Sequence, residues 1–269
     1  MTGFFPAAGL LRIGPAFKLP VDGYLEGISL DADGRTLSVA RLGSSGGASV
    51  LDLESPSSAV RRVTHPIAAV STSMSPDGRW VTTGVHKGLG VRVWEASSGR
   101  LVRELIPNEH NTQAGFSPDG KWLLTRTANE FCLWEVGSWE RVRVQRPERG
   151  VDGPGSAAFT PDGKVLAITL SPSIVQLIEV DGWRPLARLH GPDPDPVTLQ
   201  GFTPDGGRLI VARTAGGVHV WDLRLIRGQL QGLGLDWDFP PLPPEPPSGD
   251  SMPLRVEIQL GSFGRTQKK

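Results

Sequence analysis

From Tyr24 to Leu223 the chain alternates short apolar stretches with turns rich in Gly, Pro and Asp. "RWVTTG" (79–84), "KWLLTR" (121–126), "KVLAIT" (164–169) and "RLIVAR" (208–213) each hold a few apolar residues bounded by polar ones. So do "VRVWEA" (91–96), "FCLWEV" (131–136), "VQLIEV" (175–180) and "VHVWDL" (218–223). Stretches this short, flanked by turn residues and rich in Val, Ile, Thr and Trp, predict β-strands rather than helices. One exception follows Leu223. Leu225, Ile226, Leu230, Leu233 and Trp237 fall near helical spacing and predict an amphipathic helix over 224–238.

The turns repeat as strictly as the strands. "DADGRT" (31–36), "SPDGRW" (75–80), "SPDGKW" (117–122), "TPDGKV" (160–165) and "TPDGGR" (203–208) carry the glycine of their Asp-Gly pair at 34, 78, 120, 163 and 206, intervals of 44, 42, 43 and 43. Proline presets φ, aspartate caps its own turn, and glycine accepts the left-handed conformation that closes it. Asp77, Gly78, Asp119, Gly120, Asp162, Gly163, Asp205 and Gly206 therefore read as structural turn residues. A period of ~40–45 residues points to propeller blades. Each unit reads as four antiparallel strands, which bury both faces only by stacking on neighbours. The expectation is an all-β propeller of five four-stranded blades over 24–223. Trp94, Trp134 and Trp221 recur in the third strand and should fill the space between blades.

This grammar resembles WD repeats, most closely in "VHVWDL", with the aromatic–acidic pair kept in "VRVWEA" and "FCLWEV". The Gly-His dipeptide and the turn aspartate of that family are missing, so its His–Ser/Thr–Asp–Trp hydrogen-bond network cannot be drawn here. The resemblance implies a closing strand: "LLRIGPAFKLP" (10–20), within a lead-in over 1–23, would pair with the last blade. The repeats, with "WDLRLIRGQLQGLGLDWDFPPLPP", also resemble the C-terminal WD-like region of bacterial serine/threonine protein kinases. That likeness implies a kinase as a partner, since the kinase motifs themselves are absent from the sequence.

Composition adds little but excludes much. Lys plus Arg and Asp plus Glu each number 28, so no global field attracts nucleic acid or an anionic membrane. No apolar run approaches the ~18 residues that span a bilayer, and no basic stretch precedes the apolar N-terminus. A cytoplasmic protein is expected. Cys132, the sole cysteine, sits in "FCLW" and reads as a buried thiol. From 239 to 269 the chain turns proline-rich, a linker or strap, with a possible strand at 253–261.

Candidate chemistry is sparse. His65, His86, His110, His190 and His219 show no zinc-binding spacing, and Asp193 with Asp195 lacks the ligand count of a calcium loop. His65, His110 and His190 read as loop-ordering residues. No nucleophile elbow, phosphate loop or dinucleotide fingerprint occurs, so neither an enzyme nor a cofactor is expected. Partners of propellers dock on a rim. Loops after second strands place Arg41, His86, Lys87, Arg126, Asn129 and Arg213 there, beside Glu109, His110, Asn111, Arg149, Asp152, Asp193 and Asp195 from loops entering first strands. Mixed charge suits a protein or peptide. Three readings stand at this point: an interaction scaffold, a dependent fragment of a longer kinase-linked array, and an enzyme with a central-channel site.

Overall fold

In a computed structural model, residues 24–42, 46–54, 60–148, 155–191, 195–242 and 244 are described. They all fall in one unit, Val21–Glu245. The strand pattern sorts into five antiparallel sheets in chain order. The first holds β1 (Tyr24–Leu30), β2 (Thr36–Leu42), β3 (Gly47–Asp52) and β4 (Arg61–Thr64). The second holds β5 (Ala69–Met74), β6 (Trp80–Val85), β7 (Val91–Glu95) and β8 (Leu101–Leu105). The third holds β9 (Gln113–Phe116), β10 (Trp122–Arg126), β11 (Phe131–Glu135) and β12 (Arg141–Gln145). The fourth holds β13 (Ala157–Phe159), β14 (Val165–Ser171), β15 (Ile174–Glu179) and β16 (Arg184–His190). The fifth has three strands, β17 (Val197–Phe202), β18 (Arg208–Arg213) and β19 (Val218–Asp222), followed by α1 (Leu223–Gly232).

The recurring hexapeptide is the hairpin turn between first and second strands. Ser75 Oγ donates to Asp77 Oδ1 at 2.5 Å and accepts from Trp80 N at 2.8 Å, while Asp77 Oδ1 also accepts from Arg79 N. Ser117–Trp122, Thr160–Val165 and Thr203–Arg208 repeat the same bonds. In the worn first copy Asp31 takes the serine's place and accepts from Thr36 N at 3.1 Å. The glycines at 34, 78, 120, 163 and 206 all have φ between 68° and 73°, where a side chain is strained. Turns of successive sheets also touch. Ala32 N donates to Pro76 O at 3.0 Å, and a Cβ on Gly163 would lie 3.0 Å from Asp119 Cγ.

In the first four sheets second and third strands are the most buried and fourth strands the most exposed, so apolar faces meet sheet against sheet. Ala48, Val50 and Val63 pack with Trp94; Val91 and Val93 with Leu123, Cys132 and Trp134. Leu124, Phe131 and Leu133 meet Leu166, Ile168 and Ile178, and Val175 and Leu177 meet Leu209 and Val211, with Trp221 at the margin. Each tryptophan thus packs on the sheet before its own, and Ile178 occupies that place in the fourth. The first strands are stitched together as well. Met74 N donates to Ser29 Oγ at 3.0 Å, Phe116 N to Ser73 Oγ at 3.3 Å and Leu199 N to Ser156 Oγ at 2.8 Å. Two tryptophan–threonine bonds form that the sequence reading did not expect. Trp94 and Trp134 donate from Nε1 to Thr83 and Thr125 Oγ1, both at 2.9 Å, whereas buried His65 Nε2 has no hydrogen-bond partner.

Two expectations change, both in the helix. As expected, the chain leaves β19 directly into α1, and the fifth sheet holds three described strands, with Val218 and Val220 61% and 54% exposed. The helix ends at Gly232 rather than 238, and Gly234 adopts φ 70° just beyond. Its buried face is Leu223 and Arg227, while Leu225 and Leu233 point to solvent. Arg227 can face inward because the chain folds back to serve it. Its guanidinium pairs with Asp236 at 2.9 Å and donates to the carbonyls of Trp237, Phe239 and Pro240. Phe239 and Leu242 then line a cleft at the turns Thr160–Asp162 and Pro204–Gly206, so this part of the proline-rich segment is a strap. The proposed closing strand in 1–23 and the strand at 253–261 lie outside the described residues.

Candidate functional site

Loops that the sequence analysis set on a rim meet as hydrogen-bonded pairs within single sheets. In the second sheet the loop after β6 meets the loop after β8. Asn111 N donates to His86 O at 3.0 Å, and His86 Nδ1 lies 2.9 Å from Asn111 Oδ1. Thr112, fully buried, ties both loops down by donating to Gly90 O at 2.8 Å and accepting from Val85 N. A Cβ on Gly88 would sit 3.8 Å from the His110 ring. His86, Lys87, His110 and Asn111 are exposed above this support, and Glu109 is half-buried. Asn111 has φ 49°, a left-handed conformation that asparagine tolerates better than most residues.

In the fifth sheet, Arg213 pairs with Asp195 and lies 3.4 Å from His219 Nε2. The structure therefore joins a second-strand residue to the segment entering a first strand, as in the second sheet. Asn129, exposed in the third sheet, donates from its backbone N to Thr127 Oγ1. One rim assignment is corrected: Arg41 is only 2% exposed and engaged with partners, so it supports the rim rather than presenting a contact. Arg149, Asp152 and Asp193 lie outside the described residues.

Arg126 is placed differently. Its guanidinium donates to Gly155 O at 3.0 Å and to Gln113 Oε1. A cleft of about 200 Å³ opens beside it between β9 and β13, lined among the described residues by Gly115, Phe116, Leu124, Ala157 and Phe159. Burial pulls the Arg126 pKa down to about 10, so it remains a cation at neutral pH.

Other titratable groups are tied to structure. Burial, with the Arg92 charge second, lowers His65 to about 4. His190 ends β16, exposed. Burial raises the Cys132 thiol to about 12, helped by its bond to Glu130. The Thr203 hydroxyl, the Gly207 N–H and then Arg224 lower Asp205 to about 2. Among the described residues no group of three or more His, Cys, Asp or Glu side chains could hold a metal ion. No described helix is long and apolar enough to cross a membrane.

No family model matches the chain. It is 31% identical over 121 residues to pre-mRNA-processing factor 19 of Oryza sativa subsp. japonica, covering 44% of this chain and 21% of that protein. Centriole proteome protein 16 of Chlamydomonas reinhardtii is 30% identical over 178 residues, 60% of this chain and 8% of its own length. Pre-mRNA-processing factor 19 homolog 2 of Arabidopsis thaliana is 26% identical over 152 residues, 54% of this chain and 28% of its own. The chain thus spans less than a third of the length of these curated relatives. Among solved structures, hydrazine synthase of Kuenenia stuttgartiensis overlays with a TM-score of 0.57 at 21% identity, covering 74% of this chain and 58% of that one, a likeness of fold alone. The five antiparallel sheets and these low-identity matches make the chain similar to WD-repeat-like proteins.

Proposed function

We propose that this chain is a non-enzymatic protein-interaction scaffold, a WD-like propeller that presents partners with the rim formed by the loops after its second and fourth strands. The observation that carries this reading is the rim of the second sheet. There buried Thr112 fixes two loops, and the mixed charges of Lys87, Glu109 and His110 stand above them. A rigid support under exposed, mixed-charge loops suits protein recognition, which rewards groups that need no ordering on binding. Similarity to pre-mRNA-processing factor 19, a WD-repeat-like protein, supports the same class of role. A serine/threonine kinase, suggested by the sequence likeness, is one partner to test.

Lysine-directed crosslinking of the tagged chain in cells tests it. Lys87 stands on the rim, whereas Lys121 and Lys164 flank the turns at the opposite end of the second strands. Partner crosslinks at Lys87 that disappear with Lys87→Arg, and whose recovery falls with His86→Ala, are expected. Crosslinks confined to Lys121 and Lys164, or none to another protein, would overturn the reading.

A second reading, a section of a longer repeat array, is favoured by the outer face of the fifth sheet. Val218 and Val220 leave apolar surface on a strand edge there, the kind of edge that another sheet covers.

A further inference from the structure

The third sheet carries a positive charge that no described carboxylate neutralises. Arg213, which ends the second strand of the fifth sheet, meets the Asp195 carboxylate. Arg126 meets only the neutral oxygens of Gly155 and Gln113, and among the described residues no carboxylate pairs with it. A half-buried guanidinium held only by amide dipoles regains little of the hydration it gives up. Such an arrangement is stabilised once a carboxylate arrives, because the planar fork matches two carboxylate oxygens.

The surroundings define what would bring that carboxylate. The cleft of about 200 Å³ beside Arg126 is walled by Phe116, Phe159, Leu124 and Ala157. It is smaller than the ~300–1,000 Å³ typical of small-molecule pockets, a size for one side chain and its neighbour. A single cation also suits a singly charged carboxylate better than a dianionic phosphate, which clustered arginines usually bind.

We propose that the cleft between the third and fourth sheets receives an acidic side chain of a peptide partner, its carboxylate on Arg126 and an adjoining apolar residue against Phe116 and Phe159. This rests on the interaction reading above and names the chemistry of one contact. Gln113 keeps the Arg126 charge available. By supplying an amide oxygen where a carboxylate would neutralise Arg126, it leaves the charge for a ligand.

The test starts by panning a random-peptide phage library on the full chain and synthesising enriched peptides with a fluorescent label. Expected sequences share an Asp or Glu beside an aromatic or aliphatic residue. Fluorescence anisotropy should show affinity falling about tenfold or more with Arg126→Gln, and equally when the peptide's acid becomes its amide. Gln113→Glu should weaken binding similarly while raising the Tm, since an internal carboxylate then occupies Arg126. That variant keeps the test alive if Arg126→Gln fails to fold. Enriched peptides without an acidic residue, no enrichment at all, or binding untouched by Gln113→Glu would each overturn the site. Peptides that bind elsewhere would do so while leaving the scaffold reading intact, because the Lys87 crosslinks judge that reading independently.

Discussion

Trp94 donates its indole N–H to Thr83 Oγ1 at 2.9 Å, linking facing strands β6 and β7 in the buried interior. The bond points one large aromatic ring at the preceding sheet, where Ala48, Val50 and Val63 receive it. Trp134 and Thr125 repeat it one sheet later. Thr83→Val keeps the shape and removes the acceptor, leaving a buried N–H unsatisfied. The expected loss is about 1–3 kcal/mol in urea unfolding. Thr83→Val in a Trp94→Phe background should cost much less, because no donor then remains to strand.

Glycines of the repeated turn differ in what surrounds them, and that difference is measurable. Gly120 and Gly163 both have φ 73°, yet a Cβ at Gly163 meets Asp119 Cγ at 3.0 Å, and one at Gly120 finds nothing nearer than Pro76 at 3.9 Å. Gly120→Ala should cost about 1 kcal/mol from backbone strain alone. Gly163→Ala should cost more, and Asp119→Ala should recover part of the excess. Equal losses in denaturant melts would show that the turns do not press on each other.

His65 gives stability a pH dependence above the range where most carboxylates titrate. Its folded pKa is about 4, below the ordinary value of 6.5, because burial and the Arg92 charge disfavour the cation, with Glu104 opposing weakly. The unfolded chain therefore binds the proton more readily. Stability from this group is complete above pH 6.5 and declines as pH falls toward 4, by on the order of 2–3 kcal/mol. Asp205, at about 2, titrates lower. Thermal melts from pH 7 to 4.5 should show a falling Tm, and His65→Gln should flatten that slope.

Arg227 makes the strap depend on one side chain. Lysine cannot reproduce a fork that reaches the Asp236 carboxylate and three carbonyls together. Arg227→Lys should therefore speed hydrogen exchange at Asp236, Trp237, Phe239 and Leu242, with exchange in β5–β8 unchanged.

Cys132 should be chemically silent in the folded chain. Buried and with a pKa raised to about 12, the thiol has almost no thiolate at neutral pH. Labelling by a disulfide reagent should follow global unfolding, shown by its rate rising with urea alongside the loss of structure. Prompt labelling in buffer would refute this.

The sequence by itself determined the five sheets, because turn chemistry and strand alternation are local. A Ser/Thr-x-Asp-Gly phrase makes its own hydrogen bonds wherever it stands. Loop position in the sequence sets Arg126 on the rim beside Arg41 and Arg213, although the strand period separates them. Arg126 lies nine residues after Ser117, whereas Arg213 lies ten after Thr203 and Arg41 ten after Asp31, and odd and even offsets point to opposite sheet faces. What each arginine meets was not legible. Arg41 is enclosed, Arg213 finds Asp195, and Arg126 finds two neutral oxygens and a cleft, since partners come from segments far along the chain. The helix shows the same division. Spacing predicted a Leu-rich face with Leu225 and Leu233 inward, but Arg227 took the buried position because Asp236 and the strap carbonyls satisfy its charge there. Hydrophobic pattern governs which stretches form strands; desolvated charge goes where tertiary folding happens to supply its acceptors.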